Sequence, residues 1–145
     1  MTQDQLLISI NNLKREIEQN NRVLQELEGK IDALIDFSNR CDLHVRTFES
    51  SMEKRKHRLL SLDNLACTVR SAFRYQAKMS DLLTGPTYQA TVASIDELGT
   101  SISQQKRKIN QDIVDQKSYI YSLRERLSEL QYEYNHYQEE VCTNE

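Results

Sequence analysis

The feature that most constrains this chain is an apolar stripe at alternating spacings of four and three residues, which runs from Leu6 to Leu83. Eighteen of its 23 positions are apolar. The positions are Leu6, Ile10, Leu13, Ile17, Asn20, Leu24, Leu27, Ile31, Leu34, Ser38, Cys41, Val45, Phe48, Met52, Arg55, Leu59, Leu62, Ala66, Val69, Phe73, Gln76, Ser80 and Leu83. This repeat is typical of a long helix covered by another helix, so we predict an all-α coiled coil that works by association.

Composition agrees with long helices in one domain over residues 1–145. Three glycines and one proline are too few for a chain of many turns. The formal net charge of −3 is too small to indicate a nucleic-acid or membrane partner. The N-terminal residues lack the basic and apolar regions of a signal peptide, so we expect a cytoplasmic protein whose export would need no cleaved signal. No run reaches the roughly 20 apolar residues of a membrane span, and we expect no membrane insertion.

One clear break interrupts the repeat, at Leu83-Thr84-Gly85-Pro86. Gly85 can adopt the left-handed conformation that ends a helix, and Pro86 suits the first turn of the next one. A second stripe then begins at Tyr88, and 13 of its 16 positions are apolar. We therefore predict a turn at residues 84–87.

The predicted fold is a long antiparallel helical hairpin with unequal arms, a helix over 3–83 and a helix over 87–142. If the stripes align from the turn, Phe48 faces Ile120, and the first helix overhangs the second. The overhanging stripe would have no partner within the chain, and we assign it to partner binding. It comprises Leu6, Ile10, Leu13, Ile17, Asn20 and Leu24.

Residues 36–42 are the best bending point in the first helix, because they are poor helix formers. They contain no Gly or Pro, and the stripe passes through Ser38 and Cys41 without slipping. We favour a continuous helix over a three-helix fold-back.

Polar and aromatic residues mark two candidate interaction surfaces. Asn20 on the stripe either specifies register and partner or lies at a solvated end of the helix. Gln116 is expected to pair across the hairpin. Tyrosines enrich the end of the second helix and suit an interface, since an apolar ring carries a polar tip. The ones we assign to partner binding are Tyr132, Tyr134 and Tyr137.

No constellation in the sequence carries chemistry. The three cysteines are widely spaced, and no histidine is followed by another His or Cys three or four residues later. No phosphate-binding, dinucleotide-binding or nucleophile motif occurs. The basic run at 54–58 is better explained as a solvated helix face than as a nucleic-acid patch. We predict a protein that is not an enzyme and binds no cofactor or metal.

The turn Leu83-Thr84-Gly85, with Ala90 after it, resembles the turn of the W-x-G helical-hairpin proteins of type VII secretion systems. The chain looks most similar to the α-helical proteins that accompany LXG-domain toxins. This resemblance implies an adaptor or targeting chaperone. It would bind the helical N-terminal domain of such a toxin, together with a second small helical protein, and help direct it to export. The alternative is a self-assembling coiled-coil spacer or tether, whose partner is a second copy.

Overall fold

A computed structural model describes the backbone of residues 2–143 and the side chains of residues 2–139. This part of the chain is helical and contains no strand, which confirms the all-α prediction. Its helices are α1 (Gln3–Leu60), α2 (Asp63–Ala66), α3 (Arg70–Thr84) and α4 (Pro86–Thr143). Within the described residues, no helix is long and apolar enough to cross a membrane.

The chain divides into two compact units. Unit 1 combines the part of α1 up to Ala33 with the part of α4 from Lys106 onward. Unit 2 is continuous in sequence and comprises Leu34–Gln105. The helices α1 and α4 therefore each contribute to both units.

Helix α1 follows the predicted stripe closely. It runs without interruption through residues 36–42, as we favoured from the unbroken repeat. From Leu6 to Leu62 every stripe position is buried or half-buried except Arg55, which is exposed while Lys56 is half-buried. The 3.5-residue repeat thus identifies the packed side of this helix.

The predicted end of the first helix at residue 83 is wrong, because α1 ends at Leu60. The hydroxyl of Ser61 donates to the Arg58 carbonyl at 2.6 Å. Val69 is extended, with φ −121° and ψ 113°. Six of the nine residues at 61–69 are weak helix formers (Ser, Asp, Asn, Cys, Thr and Val), and hydroxyl groups that bond the preceding backbone compete with a regular helix.

The chain reverses direction in this irregular segment. The Gln76 side-chain amide donates to the Leu59 carbonyl at 3.5 Å and also contacts the Asp63 carboxylate. Further along, the ring of Tyr88 stacks on Phe48 with centroids 6.2 Å apart. As residue numbers rise from 76 to 88, their neighbours on α1 fall from 59 to 48. The segment after residue 69 therefore runs antiparallel to α1 within unit 2.

The turn predicted at 84–87 is also wrong, since Leu83 before it and Tyr88 after it both lie against α1. Gly85 has φ −80° and is not left-handed. Its N–H donates to the Asp81 carbonyl at 2.7 Å. Pro86 follows at the first position of α4, where an N–H would have no helical partner. The Gly-Pro pair is therefore a junction between two helices that continue along α1.

After the irregular segment, two of the four predicted stripe positions in α3 are each replaced by the residue before them, while Gln76 and Leu83 stay packed. Ala72 and Met79 are half-buried. The predicted stripe residues Phe73 and Ser80 are exposed, with 60% of Phe73 accessible. A helix that restarts after an irregular segment does not keep its earlier rotation, so the repeat cannot be extrapolated across it.

The structure also contradicts the predicted overhang, in which the N-terminal stripe residues would be uncovered. Leu6 and Ile10 are only 2% and 4% exposed, and Leu13, Ile17 and Leu24 are half-buried. The buried residues of α4 in the same unit are Ile113, Ile120 and Leu123. Because α1 ends 23 residues before the predicted position, its N-terminal stripe reaches α4 and is covered.

Candidate functional site

A polar layer joins α1 and α4 in unit 1. The Gln116 side-chain amide donates to Asn20 Oδ1 at 2.7 Å and to the Asn20 carbonyl at 3.2 Å. Asn20 in turn donates its amide to the Glu16 carbonyl at 2.8 Å. Both side chains are half-buried. The predicted pairing of Gln116 is confirmed. Asn20 is half-buried rather than at a solvated end, and its hydrogen bond joins two helices within one chain.

Charged and phenolic groups extend this layer to the surface. The Tyr119 hydroxyl donates to Glu16 Oε1 at 2.6 Å. That hydrogen bond, and then the negative charge of Glu16, raise the pKa of Tyr119 above 10.0. Lys117 Nζ lies 3.6 Å from Glu28 Oε1. The contacts of residues 16 and 20 with 119 and 116 show that the two helices are antiparallel.

The three tyrosines assigned to partner binding lie near the end of α4, and the contacts described below are with other residues of α4. Tyr132 is 74% exposed and stacks on His136 with ring centroids 6.2 Å apart. Tyr137 is 43% exposed, whereas Tyr134 is half-buried and accepts a hydrogen bond from Gln138 at 3.3 Å. These rings are available for contacts, and their role in partner binding stays a prediction.

The densest exposed apolar surface lies in unit 2, around the chain reversal and α3. Large side chains there are between 39% and 63% exposed. They are Leu60, Leu65, Val69, Phe73, Tyr75 and Leu82. Tyr75 and Leu82 line one groove and Leu60 and Phe73 line another, so the exposed apolar side chains form two patches, and exposed apolar patches mark sites of protein association. Heptad spacing does not reveal this surface, because it predicts a single helix with one packed stripe over residues 60–83.

Two grooves follow the contact between the end of α1 and α3, one on each side of Leu59 and Leu83, which line both. We name the larger one, of about 520 Å³, the basic groove. Its remaining lining residues are Met52, Arg55, Arg58, Leu62, Tyr75, Met79 and Leu82. The second groove, of about 430 Å³, is otherwise lined by Lys56, Leu60, Phe73, Gln76, Ala77, Ser80 and Thr84.

The charges around the two grooves differ. Arg55 and Arg58 line the basic groove, and no carboxylate in the described part of the chain forms an ion pair with either of them. Lys78 is exposed and lies three residues after Tyr75 on α3, on the same side of that helix. Beside the second groove, Lys56 lies 3.6 Å from the Glu53 carboxylate. The basic residues at 54–58, which were predicted to form one solvated helix face, thus lie on two sides of α1.

The described residues hold no group of three His, Cys, Asp or Glu side chains that could bind a metal ion. Cys41 is half-buried on the stripe and Cys67 is exposed. The side chain of Cys142 lies outside the described residues.

No protein-family model, curated protein or solved structure matches this sequence.

Proposed function

We propose that this chain is a non-enzymatic helical adaptor, which binds a helical segment of another protein through unit 2. The observation that carries this proposal is the cluster of exposed apolar side chains on α3 and the adjoining reversal. An isolated exposed leucine is ordinary, but six large apolar side chains within residues 60–82 leave a surface that association would cover.

Unit 1 differs from unit 2 in how its apolar stripe is covered, and this difference supports separate roles for the two units. In unit 1 the stripe is covered within the chain, and its central amides hydrogen-bond to each other. Such a layer favours one register over others. Unit 1 would therefore provide a stable helical support, and unit 2 would provide the binding surface.

The more specific form of the proposal is a targeting chaperone for a type VII-secreted LXG toxin. It rests on the resemblance of Leu83-Thr84-Gly85 to the W-x-G motif in sequence alone, because these residues form a junction between two helices here and not a turn. Leu83 lines both grooves beside the exposed apolar side chains. In this form the adaptor would bind the toxin's helical N-terminal domain in the cytoplasm, with a second small helical protein, and would accompany it to export.

The alternative, a self-assembling spacer, would cover the same apolar surface with a second copy.

Light scattering during size-exclusion chromatography tests the adaptor and the spacer proposals. The chain is run alone and with the helical N-terminal domain of an LXG toxin from the same genome. The adaptor proposal predicts a monomer that forms a complex of defined stoichiometry. A stable homodimer that ignores the toxin domain would favour the spacer.

A further inference from the structure

We propose that the basic groove between the end of α1 and α3 is the docking site for an acidic amphipathic helix of a partner protein. This inference rests on the proposed adaptor function and names its binding site and the chemistry of its partner. The groove has an apolar floor and a basic rim, and both properties restrict what it can hold.

The floor suits one side of a helix. Met52 and Leu83 are buried at its base, whereas Tyr75 and Leu82 are 54% and 59% exposed along its α3 side. A third helix lying between α1 and α3 would bury these rings and methyl groups and complete a three-helix bundle. Since α3 has 15 residues, the partner segment needs about four turns, with apolar residues at spacings of three and four.

The rim specifies the charge of the partner. Arg55 and Arg58 line the groove from α1, and the exposed Lys78 lies one helical turn after the lining residue Tyr75 on α3. Residues 40–78 hold nine basic and four acidic side chains, so the surrounding surface is also positive. Carboxylates flanking the apolar stripe of a partner helix would meet these cations. The second groove lacks this selectivity, because Lys56 is paired with Glu53 there.

A second copy of this chain is a poor occupant of the basic groove. A symmetric contact through the same groove would place Arg55 and Arg58 of one copy against those of the other. The acidic helical segments in unit 1 have their stripe already covered, and the large apolar side chains that they still expose, such as Ile8, Val114 and Tyr121, do not recur at spacings of three and four residues. The fitting occupant is therefore a different chain.

The test uses the full chain and two fluorescent synthetic peptides of about 15 residues, the length that fits α3. Both carry leucines at helical spacings of three and four, one with glutamates and the other with lysines beside them. Fluorescence anisotropy should show binding of the glutamate peptide, weakened by salt. Equal or tighter binding of the lysine peptide, or no binding of the glutamate peptide, would overturn the proposal.

A matched pair of variants then locates the site. Leu82 and Phe73 lie on opposite sides of α3 and are 59% and 60% exposed, so neither substitution removes a packed side chain. Leu82→Ser should weaken binding of the glutamate peptide about tenfold, and Phe73→Ser should leave it unchanged. The double variant Arg55→Glu with Arg58→Glu should also lose about tenfold and much of the salt dependence.

The reverse ranking of Leu82→Ser and Phe73→Ser would assign the site to the second groove and refute our assignment. The same variants separate this inference from the adaptor function. If an LXG toxin domain binds Leu82→Ser as tightly as it binds the unmodified chain, the adaptor function holds and the basic groove is not its site.

Discussion

At the scale of single residues, Gly85 is required by close approach rather than by left-handed geometry. A Cβ built on Gly85 would collide with the backbone carbonyl oxygen of Asp81. That oxygen accepts the Gly85 N–H, so it cannot move away without loss of the hydrogen bond. We expect Gly85→Ala to lower the free energy of unfolding by about 1–3 kcal/mol, measured by urea denaturation.

Gly99 supplies the control for Gly85, because nothing lies within 4 Å of a Cβ added there. It occupies the interior of α4, where alanine is the better helix former by about 0.5–1 kcal/mol. Gly99→Ala should therefore stabilise the chain. If Gly85→Ala were as stable as Gly99→Ala, the tight junction described here would be incorrect.

The polar layer predicts a difference between single and double substitution. Asn20→Leu removes the nearer of the two acceptors of the half-buried Gln116 amide and leaves only the backbone carbonyl of residue 20 at 3.2 Å. We expect a loss of about 1–2 kcal/mol in unfolding free energy. Asn20→Leu combined with Gln116→Leu leaves no unpaired amide and should restore or exceed the original stability. Urea denaturation measures both, and additive losses in the double variant would show that the two amides do not depend on each other.

At the scale of helices, the rotation of α3 about its own axis reverses the expected burial of two side chains. Extrapolating the stripe from α1 would place Phe73 in the packed layer and Met79 outside it. In the structure Met79 is half-buried and Phe73 is 60% exposed. Thermal unfolding should therefore show a loss of about 1–2 kcal/mol for Met79→Ala and less than about 0.5 kcal/mol for Phe73→Ala. A larger loss for Phe73→Ala would contradict the phase assigned to α3.

Residues 61–86 show which features of the fold can be predicted from the sequence and which cannot. Heptad spacing identified the packed sides of α1 and α4 because each is one uninterrupted helix, in which rotation is fixed by residue number. The reversal was misplaced because Gly85-Pro86 carries the usual signature of a turn, while residues 61–69 contain neither residue. Asp63-Asn64 and Thr68-Val69 are poor helix formers and were the available signal.

The candidate site was harder to predict than the helices. The overhanging stripe of Leu6 and Ile10 was chosen as a binding surface because the misplaced turn left it without a partner. In the structure these residues are buried, and the exposed apolar surface lies near α3 instead. Which apolar residues are free depends on where the chain reverses, and heptad spacing does not contain that information. Equal arms would place the reversal near residue 73, which is closer to residues 61–69 than to the predicted turn at 84–87.

At the scale of the whole molecule, the central claim is that the chain reverses at residues 61–69. This reversal gives the N-terminal stripe a partner within the chain and leaves the free apolar surface near α3. The two possible positions of the chain reversal place different carboxylates beside Lys117. In the structure Lys117 lies 3.6 Å from Glu28. With a turn at 84–87, which places Phe48 opposite Ile120, Lys117 would instead lie near Glu49 and Glu53.

Zero-length carbodiimide cross-linking of the unmodified chain distinguishes these assignments directly, because it joins only amines and carboxylates that are in contact. The protein is treated at low concentration, the monomer is isolated, and the linked peptides are identified by mass spectrometry. The reversal at 61–69 predicts a link between Lys117 and Glu28. A link from Lys117 to Glu49 or Glu53, without one to Glu28, would contradict it.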